Sequence, residues 1–154
     1  MMLKIGIAAD HAGYLQKELL KKKLGEANYE LIDFGAYELH PDDDYPDVVV
    51  PLGRALANGE IHKGIAICGS GVGVSIAANK LKGVRAALIT DTYSAHQGVE
   101  HDDMNMLCMG ARVIGSELIF EISKAFLDAR FEEQERFQRR LDKTLALERD
   151  FGKP

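Results

Sequence analysis

Five short apolar runs punctuate this chain, and a segment with helical spacing follows each of them. The runs are Leu3–Asp10, Tyr29–Gly35, Lys63–Cys68, Val84–Asp91 and Asn105–Gly110, all of strand length. After the first, Leu15, Leu19, Leu20 and Leu24 recur at helical spacing, and Gly25 is the expected stop. After the second comes an acidic loop with two prolines, Ala36–Asp47, in which Pro46 suits the first turn of a helix over Val48–Gly59. Pro51 inside that segment is a reason to start the helix later. The third run passes through alternate glycines into a helix reaching about Lys80, and the fourth into a helix from about Thr92. Leu118, Ile119, Ile122, Ala125, Phe126 and Ala129 mark an amphipathic helix, and a charged one follows over Gln134–Arg149.

Strands that alternate with helices build a parallel sheet covered on both faces. The expected architecture is α/β: a three-layer, Rossmann-like (flavodoxin-like), five-stranded parallel sheet with an extended C-terminal helix. A chain of 154 residues without linker or repeat fits one domain over residues 1–154. The formal charge of −5 excludes a global attraction to nucleic acid or to an anionic membrane. No apolar stretch approaches the roughly 20 residues that cross a bilayer. The N-terminus lacks the features of a signal peptide, and the two cysteines show no metal or disulfide spacing, as in a cytoplasmic protein.

Open α/β sheets bind ligands beyond the carboxyl ends of their strands. Strand one ends in Asp10-His11, strand three in Cys68 and the loop "GSGVG", and strand five in Gly110-Ala111-Arg112. Gly69, Gly71 and Gly73 allow a ligand close to the backbone, and the amides of the loop and of the next helical turn point outward unpaired. That arrangement holds a phosphate or an oxyanion formed during reaction. A thiolate at Cys68 would be stabilised by the same amides, and it is a nucleophile or a base toward carbon. Cys108, in mid-strand, reads as an inert buried thiol. Ser70 adds a hydroxyl, which serves the turn or the chemistry. His11 and His101 are placed at one edge of the sheet, where either acts as acid or base. Arg136 and Arg140, four apart, share a helix face and suit a phosphate, although the same spacing describes a solvated helix. A dinucleotide site is the rival reading, because Asp91 lies about 20 residues beyond the loop. Against it, Gly73 arrives one residue early for G-x-G-x-x-G.

The stretch "CGSGVGVSIAANK", in order with "IAADHAG", "DYPD", "GVRAAL", "HDDMN" and "GARVIG", resembles the type B ribose-5-phosphate isomerases. Their sugar-phosphate isomerase family also includes galactose-6-phosphate and allose-6-phosphate isomerases. The resemblance spans nearly the whole chain. It implies an aldose–ketose isomerase that needs no metal, nucleotide or other cofactor, acting on a small sugar phosphate. In the family, the loop cysteine moves a proton between C1 and C2, a role that falls on Cys68. The amides from Gly69 through Gly71 and Val72 to Gly73 would stabilise the enediolate. Ser70 and His101 would open the furanose ring, and Asp10 would contact the sugar near Tyr45. His11, Arg136 and Arg140, with Arg112, would bind phosphate. Family members are dimers or tetramers with shared active sites, so His101 and Arg112 are expected from a neighbouring chain.

There are departures. Asp102 stands where many members have asparagine, and a carboxylate donates no hydrogen bond unless protonated. Either Asp102 points away or the preferred sugar differs, toward a six-carbon or tetrose phosphate. The segment before the terminal helix, "EEQERF", is one residue longer than the family's "GGRH". Val74 stands where a subgroup of members carries a catalytic glutamate, which groups this chain with the cysteine users.

Overall fold

A computed structural model describes residues 3–152. The elements in chain order are β1 (Ile5–Ala9), α1 (Tyr14–Glu26), β2 (Leu31–Asp33), α2 (Tyr45–Ala57), β3 (Lys63–Cys68) and α3 (Val72–Ala78). Then come β4 (Ala86–Leu88), α4 (Thr92–Asp102), β5 (Met106–Gly110), α5 (Ser116–Asp128) and α6 (Glu135–Phe151). All strand pairs are parallel, in the order β2-β1-β3-β5-β4. The expected five-stranded sheet with flanking helices is present. Its outer edge exchanges the last two strands of the 2-1-3-4-5 order of flavodoxin-like sheets.

Two cores follow from the period-two alternation of the strands. Ile5, Ile7 and Ala9, Ile65 and Ile67, and Leu107 and Met109 face α1, α4 and α5. Ala8, Ala66, Cys68, Met106 and Cys108 face α2 and α3. Apart from Met106, the strands offer small residues on the second face. A Cβ at Gly6 would lie 2.5 Å from Leu52 Cδ1 and 2.6 Å from Ile61 Cδ1, so the glycine is the hollow that admits Leu52 of α2. Among the described residues no helix is long and apolar enough to cross a membrane.

Several boundaries differ from the sequence reading. Helix α1 runs through Gly25; Asn28, at φ 65°, takes the left-handed turn instead, and Tyr29 N–H donates to Leu24 O at 2.9 Å. Helix α2 starts at Tyr45 and tolerates Pro51, which is exposed, because Val48, Val49, Leu52 and Ala55 anchor the opposite side. The edge strands β2 and β4 have three residues each, fewer than their apolar runs, since each has a pairing partner on one side only. His101 and Asp102 form the last turn of α4 rather than an entry into β5. Beyond them Asp103 and Asn105 staple the starts of β4 and β5. Arg85 Nη2 reaches Asp103 Oδ2 at 2.6 Å, and Asn105 Oδ1 accepts from Arg85 N–H at 2.8 Å.

The order of the strands fixes where a ligand belongs. The chain leaves β1 for β2 on one side and reaches β3 on the other, so the crevice opens between the carboxyl ends of β1 and β3. At the amino end of β3, Lys63 closes the opposite side. Its Nζ donates to the carbonyls of Phe126 (2.7 Å), Leu127 (3.2 Å) and Ala129 (2.7 Å), which end α5. Burial pulls this ammonium down to about 8, so it is charged at neutral pH, and its three hydrogens match three acceptors. Lys63→Met leaves those carbonyls without a donor and is expected to cost about 2 kcal/mol of stability, read from urea unfolding. A variant as stable as the native chain would show that the cap contributes nothing.

Candidate active site

The glycine loop hangs between two strand ends. Ala111 N–H donates to Cys68 O at 2.9 Å and Arg112 N–H to Gly69 O at 3.0 Å, which extends the pairing of β3 with β5 into the loop. A Cβ at Gly110 would lie 2.5 Å from Ser70 O, so the two backbones touch. Gly71 has φ 82°, a left-handed conformation that glycine adopts freely. Two of the loop amides are occupied: Gly71 N–H donates to Cys68 Sγ at 3.1 Å, and Val72 N–H to Ser70 Oγ at 3.2 Å. Gly69, Ser70 and Gly73 keep their amide hydrogens without an acceptor among the described residues. Cys68 is 4% exposed, beneath the loop, whereas Ser70 and Val72 are exposed. Cys108 is fully buried on the neighbouring strand, and burial pushes its thiol far above the usual range, as expected of an inert cysteine.

Other predicted residues gather around this loop. The ring of Tyr45 packs on Gly73, where a Cβ would lie 2.8 Å from it. A Cβ at Gly69 would lie 3.5 Å from Arg112 Nη1 and 3.5 Å from Ala12 Cβ. Arg112 thus stands beside its own chain's loop, because Gly110 and Gly69 bring the two strand ends together. Asp10 is buried, and its Oδ1 accepts from Gly13 N–H at 3.1 Å. His11 follows it, with main-chain N–H and Nδ1 both against Asp43 Oδ1, at 2.9 and 2.7 Å. The hydrogen bond to Asp43 raises the pKa of His11 above the usual histidine value, against its partial desolvation.

Asp43 was not singled out from the sequence. It is one of four aspartates in "PDDDYPD", a run that looks solvated, and its partner is 32 positions away. What places it is a strap from Gly35 to Asp44. Lys17, fully buried on α1, donates to Ala36 O at 2.6 Å and to both oxygens of Asp33 at 2.8 and 2.9 Å. Burial works against the Asp33 carboxylate, but Lys17 and Lys21 hold it below its usual range. The donor atoms of Asp10, His11 and Asp43 converge within 4.8 Å of one another. One oxygen of each carboxylate already accepts a hydrogen bond, that of Asp10 from Gly13 N–H and that of Asp43 from His11.

The remaining predicted residues lie elsewhere. His101 and Asp102 end α4, five and four positions before Met106, whereas Cys68 pairs with Gly110 at the other end of β5. About 13 Å of strand separates the two levels. His101 and His11 therefore occupy opposite edges of the sheet, contrary to the expectation of one edge; a segment that enters a strand sits at its amino end. The ring of His101 stacks on Phe137 of α6, with centroids 4.0 Å apart, and Gln97 Nε2 lies 2.8 Å from its Nδ1. Helix α6 runs along this amino edge, from His101 to Gly83, whose N–H donates to Glu148 at 2.6 Å. Arg136 and Arg140 are exposed on it and have no acidic partner among the described residues. Asp102 lines a cavity of about 480 Å³ between α4, α6 and β4. Another, of about 530 Å³, lies below β3 near Lys63 and Asp128. Neither includes Cys68 or its loop. Asp91, required for the dinucleotide reading, instead caps α4 by accepting from Ser94 N–H at 2.7 Å.

The Ribose/Galactose Isomerase family matches residues 5–144. Ribose-5-phosphate isomerase B of Escherichia coli (strain K12) is 41% identical, over 96% of this chain and 97% of that protein. D-erythrulose-4-phosphate isomerase of Pectobacterium atrosepticum is 40% identical, over 85% of this chain and 86% of that protein. The crystal structure of ribose-5-phosphate isomerase B from Mycoplasma genitalium with bound ribulose-5-phosphate superposes with a TM-score of 0.89 at 37% identity, covering 97% of this chain and 99% of that one. A glycine loop carrying a cysteine at the mouth of the β1/β3 crevice, and a match over nearly the whole chain, place this protein in the ribose/galactose isomerase family and make it an isomerase.

Proposed function

We propose that this chain interconverts ribose 5-phosphate and ribulose 5-phosphate by proton transfer through an enediolate, with Cys68 as the base. Sugar-phosphate isomerisation is the activity that the curated relatives support. The observation that carries the finer reading is the Gly71 N–H on Cys68 Sγ, beside three loop amides that are free to meet an oxyanion. Cys68 takes the hydrogen from C2 and returns it at C1. The C2 hydroxyl loses its proton and O1 gains one, so aldose and ketose have the same formula. Negative charge that builds on the enediolate oxygen falls on the amides of Gly69, Ser70 and Gly73, where preorganised donors lower the barrier. Cys68 is 4% exposed, so the sugar must reach it across the loop, between Ala12 and Arg112 at one end and Tyr45 at the other.

Asp10 then contacts the sugar, and His11 and Arg112 meet the phosphate. Anchoring a remote phosphate places C1 and C2 for reaction. His101, Arg136 and Arg140 sit at the opposite edge of the sheet, so a second copy of the chain supplies them. The open loop and the unpaired arginines support a homodimer or homotetramer in which each site draws on two chains. In this reading residues 1–154 are one isomerase domain of a cytoplasmic enzyme of pentose phosphate metabolism, working without a cofactor.

A second reading changes the sugar. Asp102 stands where the family commonly has asparagine, and one of the relatives named above is a D-erythrulose-4-phosphate isomerase. Deuterium exchange at C2, measured across four-, five- and six-carbon aldose phosphates, decides between the readings. Exchange fastest with ribose 5-phosphate is expected; exchange with a tetrose phosphate alone would move the assignment to that sugar.

Cys68→Ala is expected to lower turnover about 10²- to 10⁴-fold while phosphate binding survives. Normal turnover in that variant would remove Cys68 as the base. Mixing Cys68→Ala chains with His101→Ala chains, each inactive alone, is expected to restore about a quarter of native activity, because hybrid dimers carry one intact site. No recovery after subunit exchange would place both residues in one chain's site.

A further inference from the structure

We propose that Asp43 is a positioning residue for phosphate binding: it clamps His11 by main-chain N–H and by Nδ1, and so leaves Nε2–H as the ring's donor to the anion. The inference rests on the reading of His11 as a phosphate ligand. One oxygen of Asp43 accepts both contacts from the same residue, at 2.9 and 2.7 Å, and this fixes the ring together with the backbone that carries it. The other oxygen, Oδ2, is buried without a hydrogen-bond partner. A half-bare buried carboxylate is costly, and a charged group beside it offsets that cost. The imidazolium of His11 is that group. The charges that face His11 are Asp10 on its own strand end and Asp43 on the strap, and Arg112 stands beside Gly69 of the loop.

The clamp has a rigid base. Lys17 ties Ala36 O, and Ala9 N–H donates to Gly35 O at 2.8 Å, so the strap is anchored where it leaves the sheet. Its far end enters α2, where Tyr45 lies on Gly73. Asp43 is thus fixed relative to both His11 and the glycine loop.

The consequence for protonation has a definite sign. With its folded pKa above the unfolded value, His11 contributes stability that is full below about pH 6.5 and is lost as pH rises through the higher folded value. The same proton serves phosphate binding, so the clamp extends anion binding toward neutral pH.

The test is a double-mutant cycle on Asp43→Asn, His11→Gln and the double variant, read as inorganic phosphate affinity, as the KM and kcat of the sugar phosphate, and as the His11 ring titration by NMR. Asp43→Asn is expected to lower the His11 pKa, to weaken inorganic phosphate binding increasingly as pH rises and the imidazolium is lost, and to raise KM with kcat little changed. In the His11→Gln background the same change is expected to add almost nothing. An equal loss in both backgrounds, or an unmoved His11 titration, would overturn the proposal. The native chain gives a check that needs no variant: a His11 ring titrating at or below the free-histidine value overturns it too. Phosphate affinity and ring titration need no turnover, so a native chain that fails the isotope-exchange assay defeats the isomerase reading and leaves this one to be judged separately.

Discussion

Backbone contact between the ends of β3 and β5 is the constraint on which the site depends. Cys68 O and Gly69 O both accept from the segment leaving β5, and Gly110 touches Ser70 with no room for a side chain. These contacts turn the loop amides outward and draw Arg112 to the loop. They exist because β5, not β4, pairs with β3. The exchange of the last two strands is therefore more than a topological detail. It puts "GAR" of the fifth strand beside "CGSG" of the third, which sequential pairing would not do.

Two buried ammonium groups secure the ends of this arrangement. Lys63 holds the carboxyl end of α5 at the amino edge, and Lys17 holds the strap at the other. Each is matched by acceptors in number, which makes burying a charge tolerable. Between them lies the unusually thin face of the sheet, where Gly6, Ala8, Gly64 and Ala66 let α2 come close. That close approach brings the start of α2, with Tyr45, down onto Gly73.

The sequence made visible what is local. The glycine loop, Cys68 at the end of an apolar run, and Asp10-His11 after another are motifs of adjacent residues, and each was found where expected. Pairing is not local, and there the reading failed. Apolarity alone made β2 and β4 too long, because it does not record where a neighbouring strand ends. His101 belongs to the edge opposite His11, because a segment that enters a strand does not share an edge with segments that leave strands. Gly25 looked like a helix stop, but Asn28 took the left-handed turn. Asp43 was invisible for a different reason: three successive aspartates look alike until Lys17 and His11, each distant in sequence, select one.

The strap from Gly35 to Asp44 is tied at both ends, by Lys17 near its start and by His11 and α2 at its finish, while Leu39 to Asp42 between them are largely solvent-facing. Closing a surface loop costs only slowly more as it lengthens. The span between the two ties is therefore a place where residues can be added or removed at little thermodynamic cost, and whatever hangs there would overlook the mouth of the crevice without disturbing the groups that line it.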